Sequence, residues 1–86
     1  MTLVDRLLRV SSAYTSSRGL SEFTVSKLVF KDGQVLNRLR QGRDLTTSRF
    51  EAGMQWFSDN WPEGAVWPAD VPRPDPAVPV PREAAE

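Results

Sequence analysis

The chain has 86 residues, 40% of them hydrophobic and 26% charged, with no cysteine and no histidine. That bounds it to one compact domain. It also removes disulfides, zinc sites built on thiolate or imidazole, cysteine nucleophiles and a histidine base. The net charge of zero hides an uneven distribution: residues 1–58 hold nine Lys/Arg against five acids, and residues 59–86 hold two against six. A basic body with an acidic tail is a pattern found in nucleic-acid binders.

In chain order, Leu3, Leu7, Val10 and Tyr14 form one helical stripe with Val4 and Leu8 beside it, which predicts a first helix over 2–17. Ser16-Ser17-Arg18-Gly19 stops it, with glycine just past the last turn. Ser21 caps a second helix over 21–30 that buries Val25, Leu28 and Val29, with Leu20 packing on Val25 as a staple. Lys31-Asp32-Gly33 breaks the pattern, and Asp32 caps a short third helix over 34–41 that ends at Gly42. Two signals compete for the start of a fourth helix: a Leu45–Phe50 staple around Thr46, and a Ser48–Glu51 capping box. Phe50, Met54, Phe57 and Trp61 give it a buried stripe.

All seven prolines lie at or after Pro62. Proline removes a backbone donor and fixes φ, so helices run freely before that point and hardly after it. The expected fold is all-α, a compact four-helix domain over 1–61 containing a helix-turn-helix. A proline-rich, acidic tail over 62–86, extended or disordered, follows it. Trp56 lies one position off the stripe; Trp56 and Trp67 are candidates for packing the tail on the domain or for a self-association surface. Val78-Pro79-Val80-Pro81 suits a partner's aromatic groove or is an uncommitted run.

Catalytic groupings are missing. There is no glycine-rich phosphate loop and no Gly-x-Ser-x-Gly elbow, and the acids Asp59, Glu63 and Asp70 lack calcium-loop spacing. Neither an enzyme, a metal nor a cofactor is expected. No apolar run is long enough to span a bilayer, and the first residues lack the basic-then-apolar order of a secretory signal. The expectation is a cytoplasmic, nucleoid-associated protein.

The informative segment is the pair of helices 21–30 and 34–41 with an Asp-Gly turn between them. At about 100° per residue, Val35, Leu36 and Leu39 fall on one side of the second helix, and Gln34, Asn37, Arg38 and Gln41 on the other. Gln and Asn bridge adenine and Arg bridges guanine in the major groove, so Gln34, Asn37 and Arg38 are the candidate base-contacting residues. A solvated polar face is the plainer alternative. Lys27, Lys31, Arg40 and Arg43 flank the helix, and Thr46, Thr47 and Ser48 offer hydroxyls and helix-start amides; these are the candidate phosphate contacts. Arg43 serves equally well as a charge near a helix C-terminus, and the three hydroxyl residues serve equally as caps.

The run Val35-Leu36-Asn37-Arg38-Leu39-Arg40-Gln41-Gly42-Arg43, followed by Thr46-Thr47 and a helix, resembles the lambda-repressor-like (Cro-type) helix-turn-helix domains. Their reading helix commonly ends in a Leu-x-x-Gly-Arg pattern, here Leu39 to Arg43. The resemblance covers about residues 3–60, four of the family's usual five helices. It implies double-stranded DNA as partner, major-groove binding and transcriptional regulation, often of phage or mobile-element genes. It also implies early reading-helix contacts from Gly33, Gln34 and Asn37, with Arg38 beside them. Ser26 is the nearest residue to the small one usual in the first motif helix. Lys31-Asp32-Gly33 replaces the family's frequent Gly-hydrophobic-Ser turn. A proline-rich tail replaces the fifth helix, which often forms the dimer contact. The leading expectation is a repressor-type regulator occupying an operator, alone or as a symmetric homodimer. The competing one is a protein-interaction module, an antitoxin or phage-type inhibitor, whose tail binds a protein partner.

Overall fold

The computed structural model describes residues 2–75, and within them every regular element is an α-helix: α1 (Leu3–Arg18), α2 (Glu22–Phe30), α3 (Val35–Arg40) and α4 (Thr47–Asp59). Helix α1 opens on a reciprocal box. The Thr2 hydroxyl accepts from the Asp5 amide (3.1 Å), and the Asp5 carboxylate accepts from the Thr2 amide (3.2 Å). It closes at Gly19, whose left-handed φ of 67° lets its N–H reach back to the Thr15 carbonyl. Leu7, Val10, Ser11 and Tyr14 are its buried stripe. Ser21 caps α2 through the Thr24 amide, and Thr46 caps α4 through the Arg49 amide at 3.2 Å. Of the two competing starts for α4, the structure uses the one at Thr46.

Helix α1 packs on the other three, and α2 packs on α3 and α4. The core joins Leu7, Val10 and Tyr14 to Val25, to Val35, Leu36 and Leu39, and to Met54 and Phe57. Phe50 and Trp61, at the two ends of the expected α4 stripe, are half-buried against it. Leu28, expected inside α2, is exposed instead. In a nine-residue helix clamped by α1, α3 and α4, the inward positions go to Val25 and Ser26. Gly53 is buried in α4 because the Phe30 ring occupies the space a side chain would take: a Cβ there would come within 2.9 Å of it.

Packing does not stop at Trp61. Two five-residue turns, six residues apart, follow with the same sequence logic, Trp61-Pro62-x-x-Ala65 and Trp67-Pro68-x-x-Val71. In each, the fifth residue's amide donates to the proline carbonyl (3.2 and 3.1 Å). In each, the tryptophan indole also donates to the fifth residue's carbonyl (2.9 and 2.8 Å). Proline suits such turns because its φ is already set. The two indoles meet at 4.8 Å between centroids. The segment returns along α1 and α4 as a strap. Val71 enters the core at 3% exposure, Asp70 pairs with Arg9 of α1 at 3.1 Å, and the Arg73 guanidinium donates to the hydroxyl and carbonyl of Ser58 while lying over the Trp67 ring. The buried Ser58 hydroxyl in turn donates to the Pro74 carbonyl. Trp67 therefore packs the strap. Trp56 instead joins an aromatic cluster with Tyr14 and Phe57, at 5.5 and 5.4 Å. The proline-rich run through Val78-Pro79-Val80-Pro81 lies outside the described residues.

Candidate nucleic-acid interface

The arrangement of α2, the turn and α3 depends on one small buried residue. Ser26 is completely buried, and its hydroxyl donates to the Asp32 carbonyl (2.6 Å) and accepts from the Leu36 amide (3.2 Å). Leu36 lies in the first turn of α3, where an amide has no partner within the helix. Ser26 thus ties the body of α2 to both the turn and the start of α3. A larger side chain would separate the two helices, and alanine would leave the amide buried without an acceptor.

Two more features set the turn. Lys31 ends α2 in the left-handed region at φ 63°, a conformation in which L side chains are uncommon. Asp32 then places one carboxylate oxygen on the Gln34 amide at 2.9 Å and the other on Nη1 of Arg38 at 3.2 Å. The Gln34 amide chiefly, with Arg38 assisting, holds the Asp32 carboxyl below its ordinary value. Asp32 was expected to cap α3. The N-cap position belongs instead to Gln34, where α3 has no side-chain cap; Asp32 stands two residues earlier, accepts from the Gln34 amide and engages a side chain six residues on. Gly33 lies under the Phe23 ring, which stands 2.2 Å from where a Cβ would be.

Helix α3 buries Val35, Leu36 and Leu39 and exposes Asn37 and Arg38, with Gln34 and Gln41 exposed at its two caps. The three residues assigned to base contact therefore share one exposed face. The flanking cations differ in their circumstances. Lys27, Lys31 and Arg43 are exposed and hold no carboxylate among the described residues. Arg40 is engaged on the body of the domain: its Nε donates to the Glu22 carboxylate and its Nη2 to the Ser12 hydroxyl at 3.0 Å. Thr46 uses its hydroxyl as a cap, while Thr47 and Ser48 are exposed in the first turn of α4.

Arg49 was not singled out by sequence, and it belongs with this group. Arg38, Arg43 and Arg49 line one hollow of about 200 Å³ between α3 and the start of α4, with Asp44 as its acid and Val35, Leu39 and Leu45 as its floor. Arg49 also lies over the Phe30 ring at 5.6 Å, which fixes its direction. The signal that could have found it was position: it is the third residue after a capping threonine, in the same exposed turn as Thr47 and Ser48. A larger hollow of about 690 Å³ lies along α1, lined by Asp5, Leu8, Arg9 and Ser12 with Arg40 and Pro68, but its charged groups are already paired. There Arg9 holds Asp70, Arg40 holds Glu22, and Asp5 holds the Thr2 amide. No group of three metal-ligating residues comes together among the described residues, and no described helix is long and apolar enough to cross a membrane.

No family model matches the chain, and neither a curated protein nor a solved structure is significantly similar to it.

Proposed function

We propose that this protein is a sequence-specific, DNA-binding transcriptional regulator of the lambda-repressor-like type, reading the major groove with α3. One observation carries the reading. A short helix, held by Ser26, docks through Val35, Leu36 and Leu39 and presents Gln34, Asn37 and Arg38 on one open face. Those three side chain types supply the paired donors and acceptors that base edges require. Lys27, Lys31, Arg43 and Arg49, with the exposed first turn of α4, supply the backbone contacts that carry most non-specific affinity. Arg40, already paired with Glu22 and Ser12, contributes less to the phosphate contacts.

Fluorescence anisotropy against the gene's own promoter duplex and a random duplex, across a salt series, tests this. The regulator reading expects tight promoter binding and weaker, strongly salt-dependent binding to random DNA. No binding to either duplex at low salt refutes it and favours the protein-interaction module.

A further inference from the structure

We infer that Asp32 is a positioning residue for sequence readout: holding one edge of the Arg38 guanidinium, it aims the remaining donors at a guanine. This rests on the DNA-reading function proposed above.

The argument begins with how firmly Asp32 is held. Its carbonyl accepts from the buried Ser26 hydroxyl at 2.6 Å, one carboxylate oxygen accepts from the Gln34 amide at 2.9 Å, and the other accepts from Nη1 of Arg38 at 3.2 Å. The carboxylate is therefore fixed to the same rigid unit as the reading helix. Arg38 reaches it from one turn further along the exposed face, beside Gln34. The two side chains are 50% and 43% exposed, and an ion pair that wet adds little to stability.

Its larger effect is on freedom. An unpaired arginine in solvent samples many rotamers and must give them up on binding. Anchored at Asp32, Arg38 has already lost that freedom. A guanidinium carries five N–H donors in a planar fork. One nitrogen is directed at Asp32, and the rest of the fork remains for O6 and N7 of guanine, the commonest specific contact of arginine. Sequence spacing hides the pairing, since residues 32 and 38 lie across a helix start rather than four apart within a helix.

The test is selection from a random duplex library with wild type, D32N, R38A and D32N/R38A, alongside urea unfolding of each. Asparagine keeps the oxygen that accepts from the Gln34 amide and removes only the charge that holds Arg38. Wild type should demand guanine at one base pair. D32N should lose about tenfold of that discrimination with no loss of affinity for random DNA and only a small fall in its unfolding midpoint, from the lost carboxylate charge on the Gln34 amide. In the R38A background, D32N should add nothing. D32N with wild-type guanine discrimination overturns the inference and leaves the DNA-reading function standing. An equal loss from D32N in the R38A background also overturns it, since the effect would not pass through Arg38. A wild type that selects no sequence overturns the DNA-reading function, and the role of Asp32 with it.

Discussion

Removing the Ser26 hydroxyl tests the physical account most directly. In Ser26→Ala the helix pair keeps its shape and its apolar contacts, but the Leu36 amide loses its acceptor at a fully buried position. A buried donor without a partner costs about 1–3 kcal/mol. The Asp32 carbonyl loses its short bond from Ser26 and keeps only a long one, 3.5 Å from the Val35 amide, which costs about 0.5–1.5 kcal/mol more. Alanine's helix propensity returns roughly 0.5 kcal/mol. The net loss is about 1–4 kcal/mol, against a total stability on the order of 4–13 kcal/mol for a chain of this size. Equilibrium urea unfolding should show the midpoint falling by about 1–3 M with the slope unchanged. Ser11→Ala is the control. Ser11 is equally buried, but its hydroxyl donates only to the Leu8 carbonyl of its own helix. Its removal orphans no backbone amide, and the lost bond less alanine's helix propensity should shift stability by no more than about 1 kcal/mol. If the two variants unfold at the same urea concentration, Ser26 does not tie α2 to α3 and the reasoning fails.

Three further outcomes follow from the same geometry. Val71→Ala, which empties a core position supplied by the strap, should cost about 1–3 kcal/mol by thermal or urea unfolding; a surface-like change near zero would mean the strap is not docked in solution. Asp5 and Asp32 have carboxyls lowered from 3.8, each first by a backbone amide, of Thr2 and Gln34 respectively. Because the folded value lies below the unfolded one, their stabilising contribution is complete above the unfolded value of about 3.9 and disappears as pH falls through the lowered one. Carbon-13 NMR titration of the two carboxyls should therefore find both midpoints below 3.8, and a midpoint at or above that value contradicts the bonding described. In the salt series, Arg43→Ala should flatten the slope of log affinity against log salt by about 0.9, whereas Arg40→Ala, which removes a guanidinium already paired with Glu22, should change it much less. A larger effect from Arg40 would reverse that assignment.

The helices were readable because their causes are local. Thr2, Ser21 and Thr46 cap, Gly19 terminates, and the stripes of α1 and α3 point inward where spacing places them, except for Leu3, which the first turn of α1 leaves exposed. The exposed face of Gln34, Asn37 and Arg38 follows from the same periodicity. What spacing could not show is what happens between elements. Ser26 looks like any helix serine until the turn returns to it from six and ten residues away. Leu28 looks like a core leucine until the packing of α2 turns Val25, Ser26, Val29 and Phe30 toward the other helices and leaves Leu28 outside. The prolines were read correctly as ending the helices, but a rule about helix continuation says nothing about docking. The legible sign of the strap was the repeat of Trp-Pro six residues apart, since a tryptophan followed by proline is placed to return its indole to the carbonyl ahead. Arg49 and the Asp32–Arg38 pair are products of tertiary proximity and have no periodic signature.

The protein's three tryptophans all lie where α4 hands over to the strap, and α3 carries no aromatic residue at all. The molecule is thus built with its own optical probe for one particular event. With Trp56 of α4 changed to phenylalanine, indole emission follows the seating of Trp61 against Trp67 and beside Tyr14, while far-ultraviolet ellipticity follows the helices. Recorded together during refolding, the two signals would time the closing of the last stretch of chain separately from the assembly of the bundle it closes over.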